Sequence, residues 1–186
     1  MLASHRIRLQ QIIREAEGYL ELSMLFADDF DTSLARKLAT PLALEALSRV
    51  REAGGLKSHA LYLKGEALRS LEQYQQALLP LETAAQLDPE NVHIALALGW
   101  CYKRVGRIDL AIEALERSLE YDNGSGILFY NLACYWSLAG GKEHALEYLT
   151  QAFAINPDYR DMVGKESDFD PLRNDADFQA LTSIIV

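Results

Sequence analysis

His59 and His93 stand 34 positions apart, and imidazoles brought to one side of neighbouring helices are the start of a metal site. Packed helices lie about 8 to 10 Å apart, which makes shared ligation demanding. No third ligand is evident, so the pair reads as two solvated histidines. Cys134 and His144 pair a thiol with a base, but they fall on different predicted helices and no oxyanion donors accompany them, so they are assigned no role. Glu113, Glu116 and Glu120 recur at spacings of three and four beside Arg117, which describes a charged stripe facing water and not a general acid/base pair. Gly124, Ser125 and Gly126 precede a predicted helix without the following Lys and Ser/Thr of a phosphate loop, so they read as a turn and a helix start. The expectation is a chain that is not an enzyme and that holds neither metal nor cofactor.

Composition narrows the partners. Of the 186 residues, 49% are hydrophobic and 24% charged, an ordinary soluble balance. The net charge of -9 opposes phosphate backbones and anionic lipid, which are bound through clustered Lys and Arg. Neither nucleic acid nor a membrane is an expected partner. The first ten residues, with His5, Arg6 and Arg8, lack the apolar core and cleavage site of a signal peptide. No run approaches the ~18 apolar residues of a membrane-spanning helix. Cys101 and Cys134 lack zinc spacing and are too few for a disulfide framework, which suits reduced thiols in the cytoplasm.

The elements that carry these residues repeat. From Ser58 the landmarks are Leu61, Gly65, Leu68, Ala77, Leu81, Ala84 and Pro89. At a shift of 34 they return as Ala95, Gly99, Tyr102, Ala111, Leu115, Ser118 and Asn123, and again as Phe129, Ala133, Trp136, Ala145, Leu149, Ala152 and Pro157. A period of this length means a stacked helical array. Small residues mark where the two helices of a unit approach closely. Large ones such as Leu81, Leu115, Leu149, Tyr102 and Trp136 fill the space around them.

This pattern of large, small, aromatic, Ala, large, Ala and Pro resembles the tetratricopeptide repeat. The resemblance implies an all-α, right-handed superhelical solenoid of antiparallel helix pairs with a C-terminal capping helix. One domain over 1–186 is expected: an irregular repeat at 16–57, regular repeats at 58–91, 92–125 and 126–159, and a capping segment at 160–186.

The irregular repeat takes its first helix from Tyr19, Leu22, Ser23 and Phe26 and its second from Ala43, Leu47 and Val50. About eight extra residues separate them relative to the usual unit. They fall in 27–40 and read as a lengthened turn with a short helix from Ser33. The first helix extends back to Ser4 as N-cap, and its stripe of Ile7, Leu9, Ile12, Ile13 and Ala16 needs cover. Pro80 lies inside a predicted helix, where it removes the bond to the carbonyl of Gln76 and should bend or loosen that turn. Beyond Pro157 a short helix is expected from Asp158 to about Gly164. A last one follows Asn174 or Asp175 with Phe178, Leu181, Ile184 and Ile185 on one side, covering the end of the stack. The run Asp168, Phe169, Asp170, Pro171, Leu172, Arg173 is similar to tails that follow such repeats in bacterial proteins.

In the family, the first helices line a concave wall along which extended peptides lie. Carried over by position, that wall comprises Glu17, Leu20, Glu21 and Met24; His59, Tyr62, Glu66 and Arg69; His93, Leu96, Ala97, Trp100, Lys103 and Arg104; then Ile127, Tyr130, Asn131, Cys134 and Ser137. Aromatics with Arg are the usual anchors of interfaces. The partner-binding candidates are therefore His59, Tyr62, Glu66, Arg69, His93, Trp100, Lys103, Arg104, Tyr130 and Asn131. Trp100 and Tyr130 have an alternative place in the core, because one step of helical phase separates groove from interior. The carboxylate-clamp residues of chaperone-tail binders are missing: Tyr62 and Glu66, Ala97, Ile127 and Asn131 stand there. The expected function is a scaffold or adaptor holding a peptide or protein. The alternatives are a structural subunit acting through self-association, giving a homo-oligomer, and a secretion-chaperone-like client binder.

Overall fold

Gly65 and Gly99 show why the chain pairs its helices as it does. A Cβ placed on Gly65 would collide with the Leu81 side chain, and one on Gly99 with Leu115 Cδ1, while also approaching Tyr135 Cε2 to 3.2 Å. Only a residue without a side chain lets the two helices of each unit lie this close. A computed structural model describes residues 2–24, 32–50 and 56–183, with the side chains of 2–5, 24 and 32–35 not described.

Among the described residues the chain is all α with no strand. Two compact units divide it, Met1–Pro89 and Glu90–Val186. The first contains α1 (Leu2–Met24), α2 (Thr32–Ser48), α3 (Lys57–Ser70) and α4 (Tyr74–Leu87). The second contains α5 (Val92–Arg104), α6 (Ile108–Leu119), α7 (Gly126–Leu138), α8 (Lys142–Ile155), α9 (Tyr159–Val163), a 3-10 helix (Ser167–Leu172) and α10 (Ala176–Thr182). The pairs α3–α4, α5–α6 and α7–α8 carry the three sets of landmarks.

In the first unit, Ile12, Ile13, Ala16 and Leu20 of α1 pack on Ala43, Ala46 and Leu47 of α2 and on Ala60, Leu63 and Ala67 of α3. The apolar stripe of α1 is thus covered by the chain itself, except that Ile7 is exposed. Two local expectations need correction. Ser4 lies within α1, which already begins at Leu2, and the short helix expected from Ser33 is not separate but the start of α2, which runs from Thr32 to Ser48. Residues 27–31 of the insertion, and Phe26, lie outside the described residues. Pro80 is buried inside an α4 that continues through it, and Pro41 sits likewise within α2.

Each regular pair turns through the same geometry. Glu72, Gly106 and Gly140, again 34 apart, have positive φ values of 61°, 78° and 78°. The next residue's N–H reaches back to Leu68, Tyr102 or Trp136 O, each at 2.9 Å. This is the Schellman closure of a helix end, which favours glycine because a Cβ crowds the following carbonyl oxygen in the left-handed region. Glu72 carries that strain where its counterparts do not. Glu72→Gly is therefore expected to stabilise the protein by about 0.5 to 1 kcal/mol, the left-handed penalty less the greater unfolded-chain freedom of glycine. A lowered denaturation midpoint would contradict it.

In the second unit one cluster joins Ala111, Ile112 and Leu115 of α6, Leu128, Leu132 and Tyr135 of α7, Leu149 and Phe153 of α8, and Val163, Phe169, Leu172 and Phe178 of the C-terminal elements. Ala111 is completely buried, whereas Glu113 is exposed. Ala111→Leu is accordingly expected to cost about 1 to 3 kcal/mol through overpacking. Glu113→Ala should stay within about 0.5 kcal/mol. Chemical denaturation that ranked the two in reverse would mean the repeat phase is misread.

The C-terminal elements start where the sequence places them. Gly164 closes α9, and the Asp175 carboxylate caps α10, accepting from Asp177 N and Phe178 N at 3.0 and 3.1 Å. Lys142 Nζ also donates to Asp175 at 2.7 Å and to Asp177 at 2.7 Å, tying α10 to the start of α8. Of the apolar side expected on α10, Phe178 is buried and Leu181 half-buried, while Ile184 and Ile185 lie outside the described residues.

Candidate functional site

The wall residues fall in both units, and each set is described within its own. On α3, the His59 Nε2 lies 2.7 Å from Glu17 Oε1 of α1. Arg69 grips Glu66 in a fork, Nε to Oε1 at 2.8 Å and Nη2 to Oε2 at 2.6 Å. Spacing of three along a helix brings the two onto one face. Tyr62 sits between them, half-buried, with its ring 6.3 Å from that of His59; burial first, and the nearby Glu66 second, raise its phenol pKa. This face therefore has its acids and bases matched in pairs.

In the second unit, α5 presents Trp100 with 37% of its surface exposed. Lys103, one turn on, places its ammonium 4.5 Å from the centre of the indole, a cation-π contact. His93 and Arg104 are exposed on the same helix. The Asn131 amide on α7 donates to its own helix, to Ile127 O at 2.9 Å.

Tyr130 departs from the groove position that the resemblance gave it. It is only 3% exposed. Its ring stacks on Tyr159 at 5.1 Å and meets Phe169 edge-on at 5.8 Å, because the 3-10 helix lies across α7. Lys103 is covered in the same way: Nζ donates to Asp168 Oδ2 at 2.6 Å, and both side chains are largely buried. Sequence reasoning identified the Asp168–Arg173 run as a tail but not that it would occupy this wall. The available signal was its alternation of acid and aromatic, which complements Lys103 and Tyr130.

The residues weighed for chemistry remain apart from any catalytic geometry. Cys134 is buried, which pushes its thiol pKa up and keeps it protonated, and His144 instead stacks on Trp136 at 4.3 Å. Glu116 accepts from the Tyr148 hydroxyl at 3.2 Å, while Glu113 and Glu120 face solvent. Gly126 is wedged against Tyr159 and Ile155 at the start of α7. Among the described residues no group of three or more His, Cys, Asp or Glu is placed to hold a metal ion, and no helix is long and apolar enough to cross a membrane. A cavity of about 230 Å³ lies between α9 and α10, lined by Arg160, Arg173, Phe178 and Thr182 among others. Its arginines are engaged: Arg160 lies over the Phe153 ring, and Arg173 donates to Glu166 O at 2.8 Å.

Antiparallel helix pairs recurring every 34 residues, with small residues at each crossing, define a helical-repeat protein. The tetratricopeptide repeat family model matches residues 68–133, about a third of the chain. Among solved structures it is similar to YrrB, described as a TPR protein with an unusual peptide-binding site, at 23% identity and a TM-score of 0.61 over 88% of this chain and 86% of that one. It is also similar to MamA, at 20% identity and 0.60 over 82% and 87%. MamA residues 41 to the end from Desulfovibrio magneticus RS-1 match at 19% identity and 0.61 over 90% and 93%. At these identities the likeness is one of fold. No curated protein matches the sequence.

Proposed function

We propose that this chain is a non-enzymatic scaffold that holds a protein partner by an extended segment laid along its first-helix faces, with α5 as the principal site in the second unit. The observation that carries the reading is Trp100: a large amphipathic ring left substantially exposed on a first helix, with Lys103 over its face and His93 and Arg104 beside it. An aromatic ring with cations around it is the composition of an interface anchor. In an acidic chain the side chains of Lys103, paired here with Asp168, and of Arg104 are also the groups to which acidic ligand residues would be drawn at short range. The peptide-binding site named for YrrB is consistent with this use of the fold. The α3 face, with His59, Tyr62, Glu66 and Arg69, is the corresponding surface of the first unit. Cys101 and Cys134, both buried thiols outside any disulfide, suit a reducing cytoplasm.

Affinity capture with the intact protein and with Arg104→Glu tests the site. Loss of a specific partner on charge reversal supports α5, and a partner retained at full affinity by both this variant and Trp100→Ala excludes it. Self-association is the second reading, favoured by exposed Leu38 and Leu42 one turn apart on α2. Light scattering of the wild type beside a Leu38→Lys, Leu42→Lys variant decides it: a dimer that dissociates on substitution supports that role, and a monomeric wild type ends it.

A further inference from the structure

Part of the α5–α7 face is already filled, and the filling segment belongs to the chain. Asp168 is bound to Lys103 at 2.6 Å, Phe169 is fully buried with its ring edge against Tyr130, and Leu172 enters the same apolar cluster. Acid, aromatic and, three residues on, an aliphatic side chain thus occupy a positive, aromatic-lined surface.

Two observations mark this segment as an occupant of the face and not as another layer of the stack. It is a 3-10 turn, not a repeat helix, and it rests on the first helix α7, whereas the true terminal helix α10 packs on the second helix α8. It also fits imperfectly. The hydroxyl of Tyr130, whose ring lies against Phe169, is buried without a hydrogen-bond partner, and leaving such a group unpaired is unfavourable. A ligand that satisfied it would hold the face better than the segment now there. Trp100 remains exposed beside Lys103 and gives such a ligand a place to land before the segment leaves.

We propose that residues 166–172 act as a built-in peptide ligand of the α5–α7 face, and that the external partner is a protein segment of the same chemistry, an Asp followed directly by an aromatic and then an aliphatic residue, which enters by exchange. The proposal rests on the reading of α5 as a peptide-binding face. Exchange replaces one buried aromatic by another, so the apolar contacts with Tyr130 and its neighbours are not forfeited. The occupied state lowers the apparent affinity of any competitor in proportion to the fraction of molecules whose face is open. Weakening the internal segment therefore strengthens external binding.

The probe is a fluorescent peptide spanning residues 165–174, titrated by anisotropy into the full chain. Wild type should bind weakly, and Asp168→Asn on the order of tenfold more tightly as the open fraction rises. The double variant Lys103→Asp with Asp168→Lys keeps the internal pair with its signs reversed. It should prefer a peptide carrying the Asp168→Lys change over the native peptide, reversing the wild-type preference. Thermal melts of every variant guard against misfolding. Should Asp168→Asn melt early without binding more tightly, and the double variant show no reversal, the segment is a structural cap and the proposal is overturned. If a captured partner depends on Trp100 while the peptide never binds, this inference fails and the scaffold reading stands. If the peptide binds and exchanges as described but Trp100→Ala is silent, the internal-ligand proposal stands and Trp100 is not the anchor.

Discussion

Phe169→Ala is expected to destabilise the protein by about 3 to 5 kcal/mol, the range for truncating a fully buried aromatic. The Phe169 side chain has no solvent exposure and packs on Tyr130 at 5.8 Å and Phe178 at 5.6 Å, in the cluster that also holds Leu172 and Val163. Its removal takes away transfer free energy and leaves a cavity between helices that are pinned by their own repeat contacts and cannot close over it. The melting temperature should fall on the order of 10 °C for a chain of this size. The damage should be regional. Hydrogen exchange is expected to rise across α7, α9, the 3-10 helix and α10, while α1–α3, whose core is a separate cluster, keep their protection. A fall of less than ~1 kcal/mol would mean that the C-terminal segment does not dock on α7 as described.

Truncating Trp100 has the opposite signature, a large effect on binding with a small one on folding. By the precedent of interface anchors, Trp100→Ala should lose at least ~2 kcal/mol of partner affinity, roughly 30-fold. Its exposed ring adds little to the core, and the Lys103 contact over it is worth only about 0.5 to 1 kcal/mol at a partly solvated site. Arg104→Glu should weaken the same association with a strong dependence on ionic strength, because an exposed charge acts through a field that salt screens. Isothermal titration and thermal melts on both variants separate the effects. A melting temperature that falls in step with affinity would put Trp100 in the core, and an affinity indifferent to Arg104 would remove the electrostatic part of the argument.

The features legible in the sequence are those governed by contacts within one helix pair. Gly65, Gly99 and Ala111 could be placed because close approach of two helices excludes a side chain, and because the same demand recurs every 34 residues in phase with the large residues that fill the remaining space. The capping residues Gly164 and Asp175 were legible for a related reason, since a helix end is satisfied by the chain immediately next to it. That the helix expected from Ser33 runs unbroken into Ala43 and Leu47 was obscured because the extra residues of the insertion break the period, and helical phase cannot be carried across them.

The accessibility of the wall was decided by tertiary structure. Trp100 and Tyr130 are both aromatic and both fall at positions that the resemblance assigns to the wall, one at the ninth and one at the fifth place of its repeat. What separates them is a segment far along the chain: Lys103 meets Asp168 across 65 residues of sequence, and with that contact comes Phe169 over Tyr130. Periodicity sets the direction in which a side chain leaves its helix only to within a step of phase, and so it left both rings a place in the wall or in the core. Whether that wall is open to a partner or already covered depends on where a non-repeating segment finds its complementary charge and apolar surface, and only the folded chain decides that.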